Sequence, residues 1–213
     1  MSVIRPLKKV CAICGFEHRY NVVMSTNSFG YMDLDTRPAP MQRDTLVYEV
    51  EYCSNCGFAN FEIDEIPKEG VEVIMRSDRY KALAYNDDLD TDVKKMLLAA
   101  IIYEEIDPKT AGMLYLRAAW LSDDNEDYGG TVSYRLAARE QLIKHINRTY
   151  DASTATLLVD ITRRAELYKE ASELARVALS RGVDDLLAKI LRFEIGLCAQ
   201  GDSELYTLGS VLE

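Results

Sequence analysis

The hydrophobic pattern of the first part of the chain is that of short β-strands. Residues 20–25 form an apolar run of strand length, and residues 46–52 alternate apolar side chains with glutamates. Residues 60–66 alternate again, whereas 26–41 contains two prolines and a glycine. A period of two is typical of half-buried strands, and proline with glycine is typical of loops. The pattern therefore predicts three strands, with a long loop after the first.

After Pro67 the pattern changes to the 3.6-residue spacing of helices. Pro108 stands where a proline fits the first turn of a helix, and Gly182 stands where a glycine ends one. The predicted helices cover 71–86, 91–106, 108–121, 128–150, 156–165, 168–179, 184–199 and 203–212. The predicted fold class is therefore α+β, with a small β domain at 1–66 and an all-α body at 67–213.

The last sixty residues contain a repeated pattern of helix pairs. Residues 168–179 carry the Tyr, Glu-Ala and Ala-Leu positions of the second helix of a tetratricopeptide repeat. Stacked pairs form a curved solenoid, and its inner surface, made by the first helix of each pair, binds extended ligands. Arg163, on the predicted first helix 156–165, is a candidate partner-binding residue on that surface. The alternative is an irregular helical bundle with one chance match.

Two matching cysteine motifs organise the β domain. Cys11 and Cys14 are followed by Gly-Phe, and so are Cys53 and Cys56. Two residues between cysteines allow one tight turn to direct both sulfurs toward one point, and a glycine accepts the positive φ of such a turn. Four thiolates in a tetrahedron are the preferred ligands of a structural Zn²⁺. The motifs therefore predict a zinc ribbon with one structural zinc per chain.

Other uses of these cysteines are weaker interpretations. Disulfides are rare in a reducing cytosol, and the N-terminus lacks the apolar run of a signal peptide. A redox motif needs one pair that opens a helix after a strand, not two matched pairs. A catalytic zinc needs an open coordination position, which four cysteines would fill. His18 is an alternative ligand in place of one cysteine.

The formal net charge of −10 lies in the second part of the chain. Residues 1–60 hold six basic and six acidic side chains, so residues 61–213 carry the whole excess. Nucleic-acid-binding ribbons use a basic surface that displaces counterions. The charge therefore argues against general DNA or RNA binding and favours a basic protein or peptide partner. No apolar run has the length of a membrane span, so we expect a soluble cytoplasmic protein.

Four elements occur in the order found in a known bacterial family. They are Cys11-x-x-Cys14, Asp33-x-Asp35-x-Arg37-Pro38, Tyr48-Glu-Val50 leading to Cys53-Ser-Asn-Cys56-Gly57, and Leu114-Tyr-Leu-Arg-Ala-Ala-Trp120. With them the chain resembles the family catalogued as domain of unknown function 2225. One departure is that Ala12 and Ser54 stand where proline is common. The resemblance implies a cytoplasmic bacterial protein with a zinc-ribbon-like head and a tetratricopeptide-like body, and it implies no activity.

The loop between the cysteine motifs holds Asp33, Asp35 and Arg37, which are further candidate partner-binding residues. These side chains could bind a charged group of a partner. In the favoured alternative, the carboxylates cap amides of the loop itself and pair with Arg37.

No catalytic set can be assembled from the sequence. The chain has two histidines and lacks a phosphate-binding loop or a dinucleotide-binding fingerprint. We therefore expect a zinc-binding adaptor or assembly factor that binds a protein or peptide without catalysis. A nucleic-acid- or transcription-associated zinc-ribbon factor is the alternative, and a thiol-redox enzyme is a third hypothesis.

Overall fold

The computed structural model describes residues 2–213 as two β-hairpins followed by a helical body. The strands are β1 (Val3–Val10), β2 (Glu17–Ser25), β3 (Glu51–Tyr52) and β4 (Ala59–Asn60). The helices are α1 (Val71–Met75), α2 (Asp78–Ala84), α3 (Thr91–Tyr103), α4 (Pro108–Asp124), α5 (Tyr128–Arg148), α6 (Ala152–Arg164), α7 (Tyr168–Ser180), α8 (Asp185–Gln200) and α9 (Gly209–Leu212). The predicted α+β fold class is confirmed.

Each hairpin carries one cysteine motif at its tip. Strands β1 and β2 pair in antiparallel register from Val10 opposite Glu17 outward, and residues 11–16 connect them. Strands β3 and β4 pair Glu51 with Asn60, and residues 53–58 connect them. Strand β1 was not predicted, because its lysines and arginine interrupt the apolar alternation.

Three predicted elements are wrong. The strand predicted at 46–52 begins inside a 3₁₀ helix, Arg43–Tyr48, and is extended only at Glu51–Tyr52. Leu46 and Val50, four residues apart, are both buried, which agrees with the apolar spacing that suggested a strand. The strand predicted at 60–66 is limited to Asn60, the last residue of β4. The helix predicted at 203–212 covers only Gly209–Leu212, because the backbone before it bonds to another segment.

One main core joins the hairpins to the helices. Phe58 and Ile63 from the hairpin region are fully buried and belong to the same hydrophobic cluster as Met96 of α3 and Leu114 of α4. The Tyr80 hydroxyl of α2 also donates a hydrogen bond to the carbonyl of Gly57 at 2.9 Å. Residues 1–66 and 67–213 therefore share one core.

The helices from α3 to α8 pack in sequence, and α6 also packs on α8. A smaller cluster contains Ala171, Ala175 and Ala178 of α7, whose small side chains allow close approach of the neighbouring helices. We call the surface of α4, α6 and α8 that carries Trp120, Asp123, Arg163, Arg164 and Glu194 the inner face. Two non-helical segments of the chain, residues 33–37 and 202–208, lie on it.

Candidate functional site

The four predicted cysteine ligands come together between the two hairpin tips. The Sγ atoms of Cys11 and Cys56 are 3.7 Å apart, and those of Cys14 and Cys53 are 3.6 Å apart. All four Sγ atoms lie within 4.8 Å of one another. Thiolates bound to one Zn²⁺ at about 2.3 Å would be separated by about 3.8 Å in a tetrahedron. A disulfide would require about 2.0 Å, and the cysteines of the described residues are all free.

The two motifs have the same backbone structure. The amide of Cys11 donates to the carbonyl of Phe16, and the amide of Gly15 donates to the carbonyl of Cys11, both at 2.9 Å. Cys53, Phe58 and Gly57 repeat these two bonds at 2.8 Å. Gly15 and Gly57 have φ of 71° and 78°, where a side chain would be strained. The sequence forms two matched turns, which aim two pairs of sulfurs at one point.

The surroundings of the sulfurs differ in ways that affect their protonation. Burial raises the pKa of Cys11 and of Cys56. Burial also acts to raise the pKa of Cys14, but the hydrogen bond from the Asn55 amide and the Phe16 backbone amide outweigh it, and the pKa falls to about 7. A bound dication would stabilise all four thiolates together. The donor set and the sulfur spacing therefore fit a four-thiolate metal ion.

Two neighbouring groups are poorer metal ligands. His18 lies exposed on β2, stacked on Phe16 with ring centroids 6.2 Å apart, and is not part of the four-sulfur group. Glu51, Glu62 and Asp64 cluster nearby, but the Lys9 ammonium already lies among them, 2.7 Å from Glu51. A metal ion in that cluster would have to displace the lysine.

The family comparison covers the segment that holds these cysteines. Residues 7–180 match the model of the family described as an uncharacterized protein conserved in bacteria (DUF2225). The chain belongs to this family. The match includes both cysteine motifs and extends through α7, so the family covers the head and most of the helical body. No curated protein and no solved structure matches the chain.

Helix length and hydropathy give one further fact about this family member. None of the helices in residues 2–213 is long and apolar enough to cross a membrane.

The loop that holds Asp33, Asp35 and Arg37 is inserted against the inner face. All three residues are buried, with at most 3% of their surface exposed. Oδ2 of Asp35 accepts hydrogen bonds from Trp120 Nε1 and Arg164 Nη1, each at 2.7 Å, and its Oδ1 accepts from the amide of Arg37 at 3.2 Å. The carboxylate therefore caps an amide of its own loop and also joins the loop to α4 and α6.

The predicted pairing of Arg37 within the loop is not observed. Arg37 pairs with Asp124 at the end of α4, and Asp33 pairs instead with Arg43 at 2.8 Å. Because burial outweighs the arginine, the pKa of Asp33 is raised. The loop side chains are thus committed to contacts within the chain.

The sequence suggested that Arg163 lies on an exposed surface, but the structure places it in the interior. It is fully buried and forms ion pairs with Asp160 at 2.9 Å and with Glu194 of α8 at 2.6 Å. Its Nη1 also donates to the carbonyls of Asp202 and Glu204. Arg163 is buried because α8 and the residues after it cover the side of α6 that a single helix pair would leave exposed.

The acceptors and donors that hold the loop were not predicted. Trp120 was named only as part of the motif at 114–120, and Asp123 and Arg164 were not singled out. Asp123 pairs with Arg135 at 2.5 Å and with Arg164 at 3.2 Å, and these partners keep the pKa of Asp123 low against the effect of burial. One signal was available: a buried tryptophan N–H needs an acceptor, and the loop carboxylates were candidates for it.

Proposed function

We propose that this family member is a zinc-stabilised adaptor that binds an extended segment of another protein on its inner face. One observation carries the proposal: the inner face already holds two non-helical segments of its own chain, and residues 202–206 of these are extended. It does so through buried side chains of α4 and α6 that bond to residues 33–37 and to carbonyls of residues 202–204. Convergence of several helices on an extended chain is typical of helical-repeat binding surfaces.

A cavity beside these segments offers room for a partner. Its volume is about 510 Å³, and it lies between the loop, the end of α4, the start of α5 and residues 203–205. Tyr128 stands at its wall with 79% of its surface exposed, and Leu205 with 39%. Exposed aromatic and aliphatic side chains at the edge of a charged cavity suit a peptide with both apolar and charged groups.

The role proposed for the metal is structural. Four cysteines complete a tetrahedral site, so no position is left for a substrate. A tetrahedral set of thiolates suits zinc and iron, and elemental analysis of freshly purified protein distinguishes them. We expect one zinc per chain. The hairpins bury little apolar surface of their own, so the metal would supply part of the free energy that orders them.

The partner segment is proposed to be basic, because the chain carries a net charge of −10. Charge complementarity would accelerate association and make it weaken as salt rises.

A matched pair of variants tests the binding surface. Tyr128 and Tyr85 are the same residue type with 79% and 80% exposure, but Tyr85 lies at the end of α2, near the head. The metal-loaded protein is used to capture partners from extract of its own cell, and the retained partner is quantified. Tyr128→Ala should reduce retention several-fold, and Tyr85→Ala should not. Equal retention by both variants, or retention independent of salt, would contradict this assignment.

A further inference from the structure

The tail of the chain, residues 202–213, lies on the inner face as an extended ligand would. It begins after Gly201, whose φ of 67° ends α8. It then runs without helix to α9 and crosses the side of α6 that carries Arg163. We call the group formed by residues 32–34, Arg163 and Phe193 the tail site.

The first contact in the tail site is a guanidinium that binds two main-chain carbonyls. Arg163 Nη1 donates to the carbonyl of Asp202 at 3.0 Å and to that of Glu204 at 2.9 Å. The rest of this guanidinium is held by Glu194 and Asp160, on α8 and α6. Because these two partners belong to the helices, Arg163 stays oriented when the tail leaves. It would then offer two donors to another backbone.

The second contact is a short antiparallel β-bridge. The amide of Leu34 donates to the carbonyl of Tyr206 at 2.9 Å, and the amide of Leu208 donates to the carbonyl of Met32 at 2.8 Å. Asp33 and Thr207 lie opposite each other in this bridge. Main-chain pairing of this kind depends little on side-chain identity and is the basis of recognition by strand addition.

The third contact is aromatic. The ring of Tyr206 packs edge-to-face on Phe193 of α8 with centroids 5.3 Å apart, and Arg163 lies 5.8 Å from the same ring. Aromatic pairs of this geometry contribute about 0.5–1.5 kcal/mol beyond their buried area. The Tyr206 ring of the tail therefore contacts both Phe193 and Arg163.

Few side chains of the tail are buried. Among residues 202–213 only Gly209 is buried, and every other residue is at least partly exposed. Segments with little buried apolar surface open at a smaller free-energy cost than the core. The tail nevertheless has an advantage over any free ligand, because its attachment to α8 gives it a high effective concentration, on the order of millimolar for a short connection.

We propose that the tail is a displaceable occupant of the tail site, and that the partner replaces it with an extended segment carrying an aromatic residue. This inference rests on the proposed function and specifies its ligand. Two carbonyls of the segment accept hydrogen bonds from Arg163. Its aromatic residue follows the second of these carbonyls by two positions and packs on Phe193. Its backbone pairs with residues 32–34. An incoming segment binds only the fraction of molecules whose tail is released, so the tail lowers the apparent affinity.

Hydrogen exchange of the unaltered protein gives the first test. The amide of Leu34 is protected by the tail, whereas the amide of Ile161 lies inside α6. If the tail is released without global unfolding, Leu34 should exchange at least about 100-fold faster than Ile161. Equal protection of the two amides would overturn the proposal, and no substituted protein is needed for this result.

A labelled peptide with the sequence of residues 202–208 gives the second test. Tyr206→Ala weakens the tail, so the variant should bind the peptide at least about ten-fold more tightly than the unaltered chain. Leu212→Ala is the control, because Leu212 is 47% exposed and lies beyond the bridge; it should bind like the unaltered chain. A peptide with alanine in place of its tyrosine should bind more weakly. Equal affinity of the three proteins, or no binding to any of them, would overturn the proposal.

The outcomes separate this inference from the proposed function. Main-chain and aromatic contacts are only weakly sensitive to salt, whereas the proposed preference for a basic partner is strongly sensitive to it. If partner capture depends on Tyr128 but the tail peptide binds nowhere, the inner face binds a partner outside the tail site. If the peptide binds but no partner is captured, the tail site exists and the adaptor assignment fails.

Discussion

The cysteine cluster and the inner face bring polar groups together in opposite ways. At the cysteine cluster, four sulfurs from two hairpins converge, and they could hold a metal ion that stabilises them as thiolates. At the inner face, buried carboxylates and guanidiniums from distant parts of the chain neutralise one another. The first arrangement can accept an added ion, whereas the second pairs charges that the chain itself supplies. Each can be broken separately.

Loss of a metal ligand should have the largest effect. Cys53 is fully buried, so Cys53→Ser should abolish stoichiometric metal binding and destabilise both hairpins, by several kcal/mol. Metal content and thermal unfolding of the purified protein measure this. Cys198→Ser is the control, because Cys198 is buried in α8 away from the other four cysteines. It should retain the metal. Full metal content in Cys53→Ser would show that other ligands suffice.

Removal of the carboxylate that joins the loop to the helices should have the next largest effect. Asp35→Ala leaves Arg164 without its partner at 2.7 Å and Trp120 without its acceptor. Loss of one member of a buried ion pair costs about 3–5 kcal/mol, which denaturant unfolding can measure. Metal content should be unchanged, because the loop contacts α4 and α6 rather than the cysteines.

Glu140→Ala is the control for an exposed ion pair. Glu140 pairs with Lys144 at 2.8 Å with both side chains exposed, at 67% and 47%, and exposed pairs contribute about 0–1 kcal/mol. If both substitutions cost the same, the contribution of Asp35 is not that of a buried ion pair.

These two sites also differ in how far the sequence predicts them. The cysteine motifs are local: a two-residue spacing followed by glycine specifies a turn, and the matched turns predict one site from two hairpins. The candidate ligands can therefore be recognised from two short motifs, and the structure places the four cysteines together. The length of the first hairpin could not be predicted, because the charged residues of strand β1 interrupt its apolar alternation.

The contacts of Asp35 on the inner face could not be predicted because they join residues more than 80 positions apart. Asp35 meets Trp120 and Arg164 only after the helices have stacked. The same stacking reverses the expectation for Arg163, which a helical pattern alone places on a surface. The helices themselves were predictable from their spacing and caps, as for the proline that opens α4. Residues 203–208 were not, because their backbone bonds to residues 32–34 instead of to itself.

The free energy of unfolding should depend on pH through a buried carboxyl group of the inner face. Burial, and then the charge of Asp160, raises the pKa of Glu194 to about 8, although Arg163 acts against this. The folded state therefore holds a proton that the unfolded state releases near its usual pKa of about 4.3. Stability should fall as pH rises from about 5 to about 8. Unfolding measured at several pH values in that range checks the sign.

Glu194→Gln should flatten that profile. The glutamine oxygen still accepts from Arg163, but the side chain no longer binds or releases a proton in this pH range. A metal ion held by the cysteines would give the opposite sign, because its affinity rises with pH as thiols deprotonate. A profile unchanged by Glu194→Gln would show that Glu194 is ionised in the folded protein throughout this range.

The smallest expected signal is in nucleic-acid binding, because we expect no binding at physiological salt. The head contains the basic residues of β1, and these are the cations that a ribbon would use on a phosphate backbone. Lys8 is paired with Glu17 at 2.6 Å, and Lys9 with Glu51 at 2.7 Å, so both are already neutralised within the chain. The body adds the acidic excess of a chain with net charge −10, which repels phosphates at long range.

Fluorescence anisotropy with a labelled random duplex and a labelled single strand measures this directly. At 150 mM salt, on the order of physiological ionic strength, neither should bind below about 10⁻⁴ M. Glu17→Lys sharpens the test, because it leaves Lys8 unpaired and changes the net charge of the hairpin by two. Weak binding that appears only in this variant, and only at low salt, would confirm that internal ion pairs hold the ribbon neutral. Sub-micromolar binding by the unaltered chain, with a steep salt dependence, would instead assign nucleic-acid binding to the cysteine-bearing head.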